Sequence, residues 1–305
     1  MSGKQAEAKA GRNLRSLFVN PVLNKEIMLR MRSLRSMWAL FFYLLAIGIG
    51  ALGFIYINEM NGSGGGFNPN TSRTLFMFIS IAQLGLIAFM APGLTAGIVS
   101  GERERQTLNL LLTTQQSSTN IIVSKLVASL AFMVLIVLAT MPVYSIVFLY
   151  GGISPSQLLL VFLFYLFTMV VLGSLGILFS TLFKRTMISV IVSYGVTLFI
   201  FGGTAFLYLI VLSIMQNTYG NGQTDYGWIG YIMGLNPVAA LYSIFDSEIS
   251  RSVFMVYRSG GSSGQDAPIQ LWQQFLIVYS IVSVGAVLLS IRYIRPILKK
   301  KRAGR

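Results

Sequence analysis

The chain has 305 residues, of which 54% are hydrophobic and only 10% are charged, a composition typical of proteins embedded in a lipid bilayer. It contains neither cysteine nor histidine, which excludes disulfides, thiolate nucleophiles, imidazole bases and the usual ligands of zinc and copper. The formal net charge of +14 does not indicate a nucleic-acid-binding protein, because the basic residues lie beside long apolar runs.

The segment before the first apolar run predicts an amphipathic helix on the membrane surface. Residues 20–35 place apolar and basic side chains at helical spacing, immediately before Trp38. Such a helix can direct its basic side chains towards anionic lipid head groups and its apolar side chains towards acyl chains. A plain juxtamembrane anchor has the same pattern. The charged residues of the segment include Lys25, Glu26, Arg30 and Arg32, and Pro21 stands near its start.

Six apolar runs are each long enough to cross a bilayer, which takes roughly 20 residues of helix. Lys125 is the one charged residue that lies away from the ends of these runs, so intramembrane proton relays are not expected. The runs are Met37 to Ile57, Leu75 to Val99, Ile121 to Tyr150, Leu158 to Phe183, Met187 to Met215 and Ile269 to Ile291.

The distribution of Lys and Arg predicts that both termini are cytoplasmic. With six spans, 20 of the 23 basic residues fall on one side of the membrane, and basic loops remain in the cytoplasm. The expected organisation is a single membrane domain over residues 1–305. It divides into a cytoplasmic N-terminus over residues 1–36, a six-helix membrane part over residues 37–291 and a basic cytoplasmic tail over residues 292–305.

The cytoplasmic loop between the second and third runs, Gly101 to Leu126, is the most informative segment. Its first residues predict a solvated charged turn, made of Glu102, Arg103, Glu104 and Arg105. Thr107 follows, and then Leu108, Leu111 and Leu112 share one face of a short predicted helix. Leucines exposed to the cytoplasm are a solubility liability unless another protein or lipid covers them, so the loop predicts a docking surface.

Three glycines, Gly93, Gly97 and Gly101, recur at four-residue spacing where the second run ends. Small residues at this spacing let helix backbones approach closely. The pattern fits packing within one subunit, and it also fits contact between two subunits.

A further uncharged stretch, Tyr226 to Phe245, could form a seventh span. Glycines and the Asn236-Pro237 step interrupt its helical pattern, and a seventh span would place the basic tail outside. We therefore expect external re-entrant or interfacial helices here. The aromatic residues Trp228, Tyr231 and Tyr242 suit the depth of the lipid head groups, or they pack as an ordinary extracellular cap.

The order of these features resembles the permeases of ABC-2 type transporters. Asn20-Pro21-Val22-Leu23 with the charged residues that follow is similar to the opening of this family. Glu102-Arg103-Glu104, Thr107-Leu108, Leu111 and Lys125 are similar to its first cytoplasmic loop, and Leu235-Asn236-Pro237 precedes the last span as in the family. Two positions depart from its pattern: Gln106 stands where glycine is common and Gln115 where proline is common.

The resemblance implies an all-α integral membrane protein with six transmembrane helices, an N-terminal elbow helix and a cytoplasmic coupling helix. It implies a permease of the bacterial plasma membrane that pairs with a second permease, identical or related, and docks two cytoplasmic ATPase subunits. No phosphate-cradling Gly-x-x-x-x-Gly-Lys-Ser/Thr run occurs in the chain, so ATP and Mg²⁺ are expected in the partner and the chain is not expected to be an enzyme.

The uncharged spans favour a hydrophobic or amphipathic substrate over an ion, and the resemblance implies export. Membrane lipid is an expected partner and nucleic acid is not. Two alternatives remain open at this stage. One is a carrier or channel that works without ATP, and the other is a noncatalytic membrane scaffold that recruits cytoplasmic proteins through the same leucine-bearing loop.

Overall fold

The computed structural model describes residues 34–61, 69–107, 118–149, 153–219, 227–255 and 268–294. These residues are helical or in short connections, and no strand occurs among them. The elbow helix predicted over residues 20–35, with Pro21, Lys25, Glu26, Arg30 and Arg32, lies almost wholly outside the described residues.

Long helices dominate the described part of the chain. The first is α1 (Leu34–Asn61), and the second is α2 (Pro69–Thr95), which α3 (Ile98–Glu104) extends. α4 (Ser118–Ala139) is followed directly by α5 (Met141–Leu149), and α6 (Pro155–Leu182) forms the fourth long helix. α7 (Thr186–Leu198) continues through a π-helical turn (Phe199–Gly203) into α8 (Thr204–Tyr219), and α12 (Leu271–Tyr293) is the last.

Six of these helical segments are long and apolar enough to cross a membrane, as the sequence predicts. Successive segments run in opposite directions through the bundle. One end of the bundle, which we call the basic end, therefore contains α3, the start of α4, the α6–α7 junction and the end of α12. The starts of α6 and α12 lie at the opposite end.

The stretch Tyr226 to Phe245 forms no seventh span. Within its described residues it contains a 3₁₀ turn (Gly227–Ile229), α9 (Gly230–Met233) and α10 (Pro237–Phe245), and α11 (Glu248–Met255) follows. The helical path breaks at Leu235 and Asn236, as the Asn-Pro step predicts. Short helices therefore connect α8 to α12 at the opposite end of the bundle.

Asn236 connects these short helices to the π-helical turn. Its side-chain oxygen accepts hydrogen bonds from the backbone N–H groups of Val238 (2.8 Å) and Ala239 (3.3 Å), which caps α10. Its amide nitrogen donates to the carbonyl of Phe201 (2.6 Å) and to Thr204 Oγ1 (3.0 Å). One buried side chain thus fixes the position of α10 against the helix that the π turn interrupts.

Helix α6 lies at the centre of the bundle and packs against α2, α4, α7 and α12. Because lipid chains are as apolar as leucine, close packing and hydrogen bonds hold such helices together in a bilayer, and small residues permit the packing. A Cβ added at Gly176 of α6 would overlap Thr95 of α2. Deeper in the core, the Tyr144 and Tyr165 hydroxyls are 3.2 Å apart, and Tyr165 donates to the Ser80 carbonyl at 2.9 Å.

Candidate functional site

The charged residues of α3 meet three other helices at the basic end. Helix α3 extends α2, so Glu102, Arg103 and Glu104 project to the point where α4 begins, α6 ends and α7 begins. Each of the three side chains bonds to a different helix, so this cluster attaches the start of the 102–112 loop to the bundle.

Glu102 forms an ion pair with Lys125 of α4. The Lys125 ammonium nitrogen lies 2.5 Å from Glu102 Oε1, and the Lys125 side chain is only 4% exposed against 29% for Glu102. An ammonium group buried in this way needs a charged or polar partner to offset its lost hydration. The pair thereby links the end of α3 to the first turns of α4.

Arg103 binds the carboxyl end of α6. Its guanidinium donates hydrogen bonds to the carbonyls of Thr181 (3.1 Å) and Phe183 (3.4 Å). The last carbonyls of a helix have no partner within the helix, and the negative end of the helix dipole attracts a cation. Arg103 therefore supplies both the missing donors and the favourable charge.

Glu104 binds the amino end of α7. Its carboxylate accepts a hydrogen bond from the backbone N–H of Thr186 (2.8 Å) and another from the Thr186 hydroxyl. Thr186 is the first residue of α7, so an anion here meets an unpaired N–H and the positive end of the helix dipole. Arg103 and Glu104 together hold the α6–α7 junction from both sides.

The backbone of α3 is attached to α6 as well. Ser180 Oγ of α6 accepts hydrogen bonds from the backbone N–H groups of Val99 (2.8 Å) and Ser100 (3.0 Å), in the first turn of α3. Ser189 of α7 donates to the Ala96 carbonyl at 2.7 Å, where the chain turns from α2 into α3. Sequence reasoning missed both serines, although a polar residue within an apolar run was the available signal.

The glycines at four-residue spacing pack against α7 of the same chain. A Cβ at Gly93 would lie 2.9 Å from the Tyr194 hydroxyl, and one at Gly97 would lie 3.2 Å from Thr186 Cγ2. A Cβ at Gly101 would be 3.9 Å from the same methyl group. Of the two interpretations left open by the sequence, the structure favours packing within one subunit.

Gln106 has a φ of 59°, in the left-handed region that favours glycine. This backbone conformation explains why glycine suits the position, and it redirects the chain directly after α3. Thr107 follows and donates a hydrogen bond from its hydroxyl to the Glu102 carbonyl at 3.2 Å. Leu108, Leu111 and Leu112 lie outside the described residues.

The predicted solvated charged turn is therefore corrected for two of its four residues, Glu102 and Arg103. Glu102 and Arg103 are half-buried and bond to neighbouring helices, whereas Glu104, although it bonds to α7, is exposed, as Arg105 is. The physical reason is that α3 prolongs α2 and carries the side chains of Glu102 and Arg103 into the helix junction.

A bundle of six bilayer-length apolar helices defines the class of multi-pass integral membrane proteins. Within that class, the model of the family described as ABC-2 family transporter protein matches residues 20–293, and the chain belongs to this family. A comparison with curated proteins finds no match.

Proposed function

We propose that the chain is the permease subunit of an ABC transporter and that separate cytoplasmic ATPase subunits supply the energy. ATP and Mg²⁺ bind in the ATPase, and this chain forms part of the substrate path together with a second, identical or related permease. The family match and the six apolar helices support a transport role. The uncharged character of the helices supports a hydrophobic or amphipathic substrate, and the family resemblance supports export from the cell.

The observation that carries the proposal is the attachment of α3 at the basic end. The start of the 102–112 loop is joined to α4 by the ion pair of Glu102, to α6 by the hydrogen bonds of Arg103 and to α7 by those of Glu104. A push on this loop would therefore move several membrane helices as one body. That property is what a coupling element needs, since two discrete arrangements of packed helices can convert a local push into opening of a path.

The charge distribution supports a cytoplasmic position for the basic end. The structure describes the side chains of six basic residues there and of two at the opposite end. Because basic loops are retained in the cytoplasm, this distribution supports the proposal that both termini are cytoplasmic. The bacterial plasma membrane enters the proposal from the family resemblance. The six are Arg103, Arg105, Lys125, Lys184, Arg185 and Arg292, and the two are Arg73 and Arg251.

The ATPase would bind the leucine face that the sequence predicts beyond Thr107. Apolar residues at the centre of an interface dominate its energy, each costing roughly 1 to 4 kcal/mol when it is truncated. Leu111→Asp should abolish most binding of the ATPase encoded beside this gene. Leu110→Asp is the matched control, because Leu110 lies on the opposite face of the predicted helix and undergoes the same chemical change.

The test is a pull-down of the ATPase at equal membrane expression of the wild type and the two variants, followed by transport in vesicles. We expect binding to fail for Leu111→Asp and to persist for Leu110→Asp. Equal binding by all three proteins would contradict the docking role. ATPase binding without any ATP-dependent transport would instead support the scaffold alternative.

A further inference from the structure

A cavity of about 590 Å³ lies between the starts of α6 and α12 and the short helix α10, at the end of the bundle remote from the α3 cluster. Its volume falls within the range of pockets that bind small organic molecules. We call it the α6–α12 cavity. The residues used below are Gln157, Leu160, Leu163, Ser247, Gln270 and Trp272, all of which line it.

The lining of the cavity changes from polar to apolar along the helices. Gln157 lies in the first turn of α6, Ser247 lies between α10 and α11, and Gln270 caps α12, so all three lie at the helix ends. Leu160 and Leu163 lie one to two turns further along α6 and are 45% and 52% exposed. The cavity therefore opens sideways, where acyl chains would surround the bundle, with hydrogen-bonding groups at its outer edge.

The electrostatic surroundings favour an uncharged occupant. None of the described residues that line the cavity carries a charge. Two acidic residues, Asp246 and Glu248, flank Ser247, and Glu248 forms an ion pair with Arg251 at 3.5 Å. Arg73 donates a hydrogen bond to the carbonyl of Phe245, another lining residue, at 2.7 Å. The two acidic and two basic residues leave the surroundings of the cavity without a net charge that would attract an ionic head group.

We propose that the α6–α12 cavity binds a membrane-resident amphiphile with a hydroxyl-bearing, uncharged head group. The acyl chain lies along Leu160 and Leu163, and the hydroxyls meet the amides of Gln157 and Gln270 and the hydroxyl of Ser247. Transfer of an acyl chain from lipid to this cavity gains little by itself, so selectivity comes from the fit of the chain and from the head-group hydrogen bonds. The proposal does not depend on the cargo or on the ATPase.

Trp272 provides a reporter inside the cavity. The chain has three tryptophans, and the other two, Trp38 and Trp228, are exposed. The full chain with Trp38→Phe and Trp228→Phe is reconstituted into phosphatidylcholine vesicles and titrated with a monoacylglycerol brominated on its acyl chain, since bromine quenches tryptophan on contact. We expect Trp272 quenching to saturate at low mole fraction. A protein that retains only Trp38, which is 59% exposed on α1, should be quenched in proportion to the bulk mole fraction.

Filling the cavity tests its location. Leu163→Phe in the Trp272-only protein should raise the half-saturating mole fraction of the probe by roughly three- to tenfold. This is the effect of losing binding free energy comparable to that of one hydrogen bond. Leu159→Phe is the matched control, because Leu159 is 61% exposed on the same helix but does not line the cavity, and it should cause no shift. Leu160→Phe replaces Leu163→Phe if the latter does not give a monodisperse protein.

Charged probes test the head-group assignment. A brominated fatty acid and a brominated alkyl trimethylammonium should each bind at least roughly threefold more weakly than the monoacylglycerol. Several results would overturn the proposal: identical quenching curves for the Trp272 and Trp38 reporters, no effect of Leu163→Phe, or equal binding of a charged probe. Absence of Trp272 quenching would overturn it as well.

Discussion

At the scale of single residues, the buried side chain of Lys125 requires a charged partner. A lysine buried near the start of a membrane helix is costly unless a partner holds it, and Glu102 is that partner. The pair holds two helices together, yet a buried ion pair is weak evidence for stability in itself because desolvation offsets the attraction. Its value lies in fixing where α3 ends relative to α4.

Removing one member of this pair should therefore be worse than removing both. Lys125→Met keeps most of the side-chain volume but leaves the Glu102 carboxylate partly buried and unpaired, and should cost about 3 kcal/mol of unfolding free energy. Lys125→Met combined with Glu102→Gln should recover most of the loss. Denaturant unfolding in detergent micelles measures both. Equal losses for the single and double variants would show that the two charges do not stabilise each other.

Asn236 is the second residue whose chemistry is narrowly specified. Asn236→Asp keeps the oxygens that cap α10 but replaces the donor that faces the Phe201 carbonyl and Thr204 with an acceptor. Two acceptors facing each other in a buried site should cost roughly 2 to 3 kcal/mol. Asn236→Ser also keeps the cap, without adding a charge, and should cost less. Thermal unfolding of the two variants compares them, and a more stable Asp variant would contradict the donor role.

The charged run of α3 shows what the sequence could and could not predict at this scale. The sequence predicted a role for this run, because a Glu-Arg-Glu run directly follows a bilayer-length apolar segment. Its contacts were not predictable, because they depend on three helices whose contacting residues are 23 to 82 residues away in the chain. Ser180 and Thr186 were missed for the same reason.

At the scale of helices, hydropathy predicted where the spans lie but not where they bend. The predicted run Ile121 to Tyr150 is two helices, α4 and α5, with a break at Thr140. Pro142 lies in the first turn of α5, where its missing N–H removes no hydrogen bond. The π-helical turn within the fifth span was not predictable from an apolar run, because its partner Asn236 lies in a different element.

The junction between α6 and α7 provides a prediction about coupling. On the proposed function, Arg103→Gln should leave ATPase binding intact, because Arg103 bonds within the chain, and should lower the amount of substrate transported per ATP. The loss should be roughly two- to thirtyfold, the effect of changing one residue on a coupling network. Arg105→Gln, at an exposed neighbouring position, should have little effect on transport.

Transport and ATP hydrolysis are measured together in vesicles that contain the permease and its ATPase. A parallel decline of hydrolysis and transport for Arg103→Gln would indicate simple loss of assembly. That result would contradict a role for Arg103 in transmitting motion.

At the scale of the whole molecule, the two ends of the bundle have different chemistry. The basic end carries the ion pair and the helix-end contacts of α3, whereas the opposite end carries the short helices α9 to α11 and the α6–α12 cavity. Helix α6 contributes to both, through Ser180 near one terminus and Gln157 near the other. A displacement of α6 driven from the basic end would therefore change the shape of the cavity at the opposite end.

The orientation of this bundle in the membrane is the last prediction, and the cysteine-free sequence makes it directly testable. Ser252 is exposed on α11 at the opposite end, and Lys184 is exposed at the α6–α7 junction of the basic end. Because 20 of the 23 basic residues fall on the basic side, that side should remain in the cytoplasm. In intact cells, a membrane-impermeant maleimide should label Ser252→Cys, and it should label Lys184→Cys only after lysis. The cysteine-free chain serves as the background control. Labelling of Lys184→Cys alone from outside would reverse the orientation, and labelling of both from outside would contradict a bundle whose two ends lie on opposite sides of the membrane.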